Sequence, residues 1–238
     1  MHNLLNWYTD LGAAITEARR TQRPILSLRL LGRLDQELSC ANSRFFRRTL
    51  YPEPRIQRVL RERFVLHWES VRPVPIVTID FGNGRKIVKP ITGNSVHLVL
   101  DMYGRPVDAL PGLVTPDVFL QQLEIAFALS RLDRKQLAAE HERLLRMPRP
   151  PIQPSRAVAA SQIAMTKHVV EAPLLRAVAP PIVEADTAVN LELHARIRTT
   201  FARHTAWTIE TLVAWIYRDL FLMPPDDPML GLDVPDPV

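Results

Sequence analysis

The chain has 238 residues and a net charge of +5, from 30 Lys and Arg against 25 Asp and Glu. It has one cysteine, which excludes an internal disulfide framework, and 47% hydrophobic residues, enough for a proper core. The basic residues are mostly arginines dispersed along the chain. With no zinc-finger spacing, Gly-x-x-Gly clamp or aromatic RNA-binding strand, nucleic acid is not an expected partner.

The N-terminus, Met1-His2-Asn3-Leu4-Leu5-Asn6-Trp7-Tyr8, lacks a basic stretch followed by an apolar one, so no secretory signal is expected. No run of about 18 apolar residues suggests a membrane span. The expected location is cytoplasmic. Leu11, Ala13, Ala14, Ile15 and Ala18 predict a helix ending near Arg19-Arg20, and Ile25–Leu31 predicts a strand. Leu34–Leu50 reads as loop passing into helix, with Phe45 and Phe46 as core candidates and Tyr51-Pro52-Glu53-Pro54 as its break. A further helix carries Ile56, Val59 and Leu60, and Phe64–Trp68 predicts an apolar strand.

Two runs, Ile76–Phe81 and Arg85–Lys89, flank Gly82-Asn83-Gly84, whose residues tolerate the positive φ of a tight turn; they predict a β-hairpin. Val96–Asp101 and Pro106–Leu110 predict a second strand pair around Met102-Tyr103-Gly104-Arg105. Thr115 and Pro116 predict an N-cap and first helical position, ahead of Val118, Leu120, Leu123, Ala126, Phe127 and Leu129 at helical spacing.

The implied fold class is α/β, a central mixed sheet flanked by helices. Several segments in order resemble thioredoxin-like domains of the disulfide-reductase-domain type. These are Trp7 with Ala13-Ala14, Arg23-Pro24-Ile25-Leu26, Cys40–Ser43, Phe64-Val65-Leu66, Val96–Asp101, Gly104–Val107, Leu110-Pro111-Gly112 and Phe119-Leu120. The resemblance covers about residues 5–130. It implies a thioredoxin-like fold in which Cys40 is the candidate nucleophile, Ser43 stands where the family has a second cysteine, and Asn94 and Ser95 lie in the substrate-docking segment. Ser95 stands where the family has a cis-proline; a non-proline residue there is expected to be trans.

With Ser43 in place of a resolving thiol, dithiol exchange by this chain alone is not expected. A Cys-x-x-Ser site can still attack a disulfide, with the Ser43 hydroxyl donating to the thiolate and an external thiol resolving the product. Two helix starts remain open. Ser39 as N-cap places Cys40 in an activating first turn; Asp35 as N-cap places it in an ordinary second turn.

No cofactor or metal is expected. His67 and His97 read as core histidines, and His194 and His204 are too far apart on a helix for a ligand pair. No Gly-x-Ser-x-Gly elbow or phosphate loop is present. Arg47, Arg48, Arg55, Arg58, Arg61 and Arg63 predict either a solvated helix surface or an anionic-partner patch near Cys40.

The predicted organisation is a thioredoxin-like domain over 1–146, a Pro-rich linker over 147–154, and a helical C-terminal extension with an acidic Pro-rich tail over 155–238. Within the extension, Ala157–Val170 predicts a helix. Val189, Leu193, Ile197 and Phe201 predict another that begins near Asp186, and Thr208 caps a last one carrying Ile209, Leu212, Ile216 and Leu220. Met229-Leu230-Gly231-Leu232 is expected to act as an apolar tether or a short linear motif. The helices of the extension are expected to pack together as a small bundle, against the thioredoxin-like domain as an intramolecular cap, or across a homodimer. Function is expected to be that of a protein-binding or adaptor module with a protein partner. The alternative is a monothiol disulfide reductase or isomerase working with an external thiol.

Overall fold

A computed structural model of the chain describes residues 5–36, 39–90, 92–148, 182–204 and 206–231. The predicted linker from 149, the Ala157–Val170 helix, Glu37 and the tail from 232 lie outside the described residues.

The elements are β1 (Trp7–Tyr8), α1 (Leu11–Thr21), β2 (Ile25–Leu31), α2 (Ala41–Phe45) running into a π-helical turn (Phe46–Leu50), α3 (Pro54–Arg63) and β3 (Val65–Arg72). Next come β4 (Ile76–Asp80), β5 (Lys86–Pro90), β6 (Ser95–Leu100), β7 (Pro106–Pro111), α4 (Pro116–Leu129) and α5 (Arg134–Leu145). The chain closes with α6 (Ile182–Arg203) and α7 (Ile209–Trp215), which continues as a second π-helical turn (Ile216–Leu220).

Five strands form one mixed sheet in the order β1-β3-β2-β6-β7, and β4 and β5 form a separate hairpin. Strands β1, β3 and β2 are mutually parallel; β6 runs antiparallel to β2, and β7 antiparallel to β6. Registers Leu31↔Arg72 and Leu30↔Ser95 place the end of β3 and the start of β6 at the end of the sheet where β2 finishes. The connection between them therefore needs no crossing helix, and the hairpin fills it.

Strand alternation splits β2 between two cores. Leu26, Leu28 and Leu30 face a layer built from Phe45, Phe46, Leu50, Ile56, Leu60, Phe119 and Leu123. Ile25 and Leu31 face Ala14 and Ala18 of α1 together with Ile197, Phe201, Ile209, Leu212, Ile216 and Tyr217. Elements close in sequence cover the first face. The second depends on helices from the far end of the chain, so the apolar sides of α6 and α7 are buried within the same molecule.

Local signals place several boundaries. Asp10 caps α1 by accepting from Ala13 N, Glu53 caps α3 at Ile56 N, and Thr208 forms a capping box with Thr211. Thr115 occupies the N-cap of α4 with Pro116 at the first position, but its side chain makes no capping bond; instead its N–H donates to Thr187 Oγ1 at 3.0 Å.

Helix α6 begins at Ile182, ahead of the predicted Asp186; of the predicted stripe Ile197 and Phe201 are buried and Leu193 packs against the core, but Val189 faces outward. Val189 is 59% exposed, whereas Val183, Thr187, Asn190, His194, Ile197 and Phe201 are buried, at alternating spacings of four and three. A strict four-residue stripe turns about 40° per step around a helix of 3.6 residues per turn, so it cannot hold one face. The inward face holds polar side chains because it meets a strand edge rather than an apolar layer.

Candidate functional site

Cys40 is fully buried and occupies the N-cap position of α2, with φ −55° and ψ 157°. Neither Ser39 nor Asp35 starts the helix. The Cys40 side chain makes no capping hydrogen bond, so it does not take up the unpaired N–H groups of the first turn.

Ser43 is also fully buried. Its hydroxyl lies within donating distance of Ser39 Oγ at 2.7 Å and the Cys40 carbonyl at 2.9 Å. Arg47 closes the same loop, donating to the Gln36 carbonyl at 2.8 Å and to Ser39 Oγ at 3.0 Å.

Opposite Cys40 stands Gly93, with φ +151°; a Cβ there would lie 2.6 Å from Cys40 Cβ. Only glycine lets the backbone come so close. Gly93, rather than Ser95, is the residue packed on Cys40. The bond between Asn94 and Ser95 is trans, as expected without proline.

Ser95 is fully buried within β6. Asn94 is tied on several sides: its Oδ1 accepts from Asn42 Nδ2 at 2.7 Å and from Ser95 N at 2.9 Å, and its carbonyl accepts from Tyr217 OH at 3.0 Å. The same hydroxyl lies 3.2 Å from the Arg29 carbonyl. Burial, and next the neighbouring Cys40 sulfur, push Tyr217 and Tyr51 well above the ordinary tyrosine value.

The histidines on the sheet are core groups. His97 Nε2 lies 2.8 Å from Tyr51 OH, packed among Phe46, Tyr51 and Phe119, and burial lowers its pKa to about 3. His67 Nδ1 lies 2.8 Å from Ser27 Oγ; burial and then the Arg29 charge lower it to about 4. Of the arginines near this end, Arg55 pairs with Glu53 and Asp117, and Arg63 pairs with Glu124 while covering the Phe127 ring.

A second polar cluster escaped sequence reasoning. Asp108 on β7 is completely buried and accepts from His194 Nε2 at 2.9 and 3.1 Å, while Gln122 Nε2 faces His194 Nδ1 at 3.2 Å. Arg198 stands 3.8 Å from the same carboxylate. Burial opposes ionisation of Asp108, but His194 and Arg198 outweigh it and hold the carboxyl below its usual range. Burial lowers His194, more than Asp108 raises it.

An Asp-His pair could orient a general base, but both ring nitrogens of His194 are engaged. The neighbouring cavity of about 200 Å³ is lined by Ile125, Leu144, Leu191, Gln122, Arg198 and others, with no Ser, Thr or Cys among them. Among the described residues, the pair therefore has no nucleophile lining this cavity to activate. The only early signal was His194, and its carboxylate is 86 residues away.

Among the described residues, no group of three or more His, Cys, Asp or Glu side chains could hold a metal ion. No described helix is long and apolar enough to cross a membrane. No protein-family model, curated protein or solved structure matches the chain.

Proposed function

We propose that this chain is a thioredoxin-like protein that works as a protein-binding module rather than as a dithiol oxidoreductase. The thioredoxin-like reading is supported by the strand order β1-β3-β2-β6-β7, by a cysteine at the start of the helix that follows β2, and by the Gly93-Asn94-Ser95 segment set against it.

The observation that carries the binding reading is the complete burial of Cys40, with the Gly93 backbone packed closely against it. Thiol–disulfide exchange needs a thiolate that can approach a disulfide sulfur, and a second thiol to release the mixed disulfide. Burial removes the first and Ser43 the second.

Iodoacetamide labelling of the folded full chain across pH, with Cys40→Ser as background, tests this. The expected result is slow labelling that becomes fast only in denaturant. Rapid labelling of the native protein well below the ordinary thiol pKa of about 8.5 would overturn it and favour the monothiol reductase.

A further inference from the structure

We infer that the β4–β5 hairpin is a self-association surface, through which two copies of this chain pair β4 against β4, antiparallel, about Thr78. The inference is independent of the reading of Cys40.

Ile76, Ile79, Phe81, Ile87 and Val88 are 40–56% exposed, and all lie in or directly beside this hairpin. Ile79 sits opposite Ile87 on one face, while Val88 sits opposite Thr78 on the other. Apolar residues on both faces are the pattern of a strand inside a larger covered sheet. A two-stranded ribbon by itself is only marginally stable.

The hydrogen bonding separates the two edges. Phe81 N donates to the Arg85 carbonyl at 3.1 Å, just beyond the pair Asp80↔Lys86. Antiparallel pairs alternate between hydrogen-bonded and non-bonded, so Ile79↔Ile87 and Val77↔Lys89 use their backbone groups inside the hairpin. Ile76, Thr78 and Asp80 on β4, and Lys86, Val88 and Pro90 on β5, turn theirs outward.

The β5 edge is guarded: Pro90 has no N–H, and Lys86 and Lys89 add charge. The β4 edge is not. Its outward groups form an intact row, on a strand whose first four residues, Ile76-Val77-Thr78-Ile79, are uncharged and β-branched.

That row is symmetric about Thr78. In a two-fold antiparallel pair Thr78 meets Thr78 and Ile76 meets Asp80, so every outward N–H finds a carbonyl. Val77 meets Ile79 between them, a β-branched aliphatic pair. Asp80 keeps its own Lys86, 3.0 Å away. The Lys-bearing strands end on the outside, three strand spacings or about 14 Å apart, beyond the screening length of about 8 Å at physiological salt. Pairing β5 with β5 about Val88 would instead set Lys86 against Pro90, which has no N–H to donate, and bring all four lysines onto adjacent strands. Charge therefore selects the β4 edge, and the product is a four-stranded sheet.

Sedimentation of the full chain from roughly micromolar to hundreds of micromolar tests the pairing. The expected mass rises from 27.1 kDa to twice that value. Thr78→Pro removes the central N–H and Thr78→Lys opposes two lysines on the axis. Each is expected to weaken association by about tenfold or more, while Val88→Lys on the guarded edge leaves it unchanged. Thr78→Cys in a Cys40→Ser background is expected to form an intermolecular disulfide on mild oxidation. A wild-type monomer throughout the range, a dimer that survives both Thr78 substitutions, or failure of the Thr78→Cys chain to cross-link would overturn the proposal.

Discussion

The molecule treats two strand edges in opposite ways. Around β7, the last strand of the main sheet, helices α5 and α6 meet the outward polar groups. His141 Nε2 donates to the Val107 carbonyl at 2.9 Å, Asn190 Nδ2 to the Leu113 carbonyl at 2.7 Å, Thr187 accepts from Thr115 N, and His194 holds Asp108. Among the described residues, no strand other than β5 pairs with β4, and its outward edge takes none of these bonds. An edge closed from within the chain becomes part of its stability, whereas one left open affects stability little and is available for association.

The contrast breaks most sharply at Asp108. Asp108→Ala leaves the largely buried Arg198 without its counter-charge and His194 Nε2 without its acceptor, and is expected to cost roughly 3–5 kcal/mol, read from urea unfolding. Asn190→Ala orphans the Leu113 carbonyl beneath α6 and should cost about 1–3 kcal/mol in the same measurement. Thr78→Lys, on the open edge, is expected to stay within about 0.5 kcal/mol of wild type. A destabilisation of Thr78→Lys similar to that of Asn190→Ala would erase the distinction between the edges.

Acid sharpens the same comparison, because the closed regions hold the buried histidines. His97 stays neutral in the folded protein down to about pH 3, against 6.5 for an ordinary histidine. Between those values the unfolded chain binds a proton that the folded chain does not, so stability is whole above pH 6.5 and falls as pH drops toward 3. His67, His141 and His194 are shifted in the same direction. Urea midpoints should decline steadily from pH 7 to pH 4.5, and His97→Gln should flatten that decline. A midpoint constant over this range would mean that the folded protein takes up the protons after all.

Much of the element order was legible because it rests on local rules. The Gly82-Asn83-Gly84 turn, the Pro116 helix start and the Thr208 cap each depend on a few adjacent residues, and each stands where expected. The inward face of α6 was not legible. Periodicity finds helix faces by apolar residues, and Thr187, Asn190 and His194 are buried for the polar groups of β7 and the loop after it. The site was legible in part: Cys40 and Ser43 were marked by motif, but Gly93, whose backbone packs against Cys40, and Tyr217, whose hydroxyl donates to the Asn94 carbonyl, were not.

The sequence by itself determined the order of most strands and helices, that a hairpin turns at Asn83, and that one sulfur stands between β2 and the next helix. These follow from backbone sterics and capping within a few residues. Only the tertiary structure decided that Cys40 is enclosed, that Asp108 is neutralised by a helix 86 residues away, and that one ribbon edge stays open. Burial and charge pairing depend on which surfaces meet, and that is set by contacts between segments far apart in the chain.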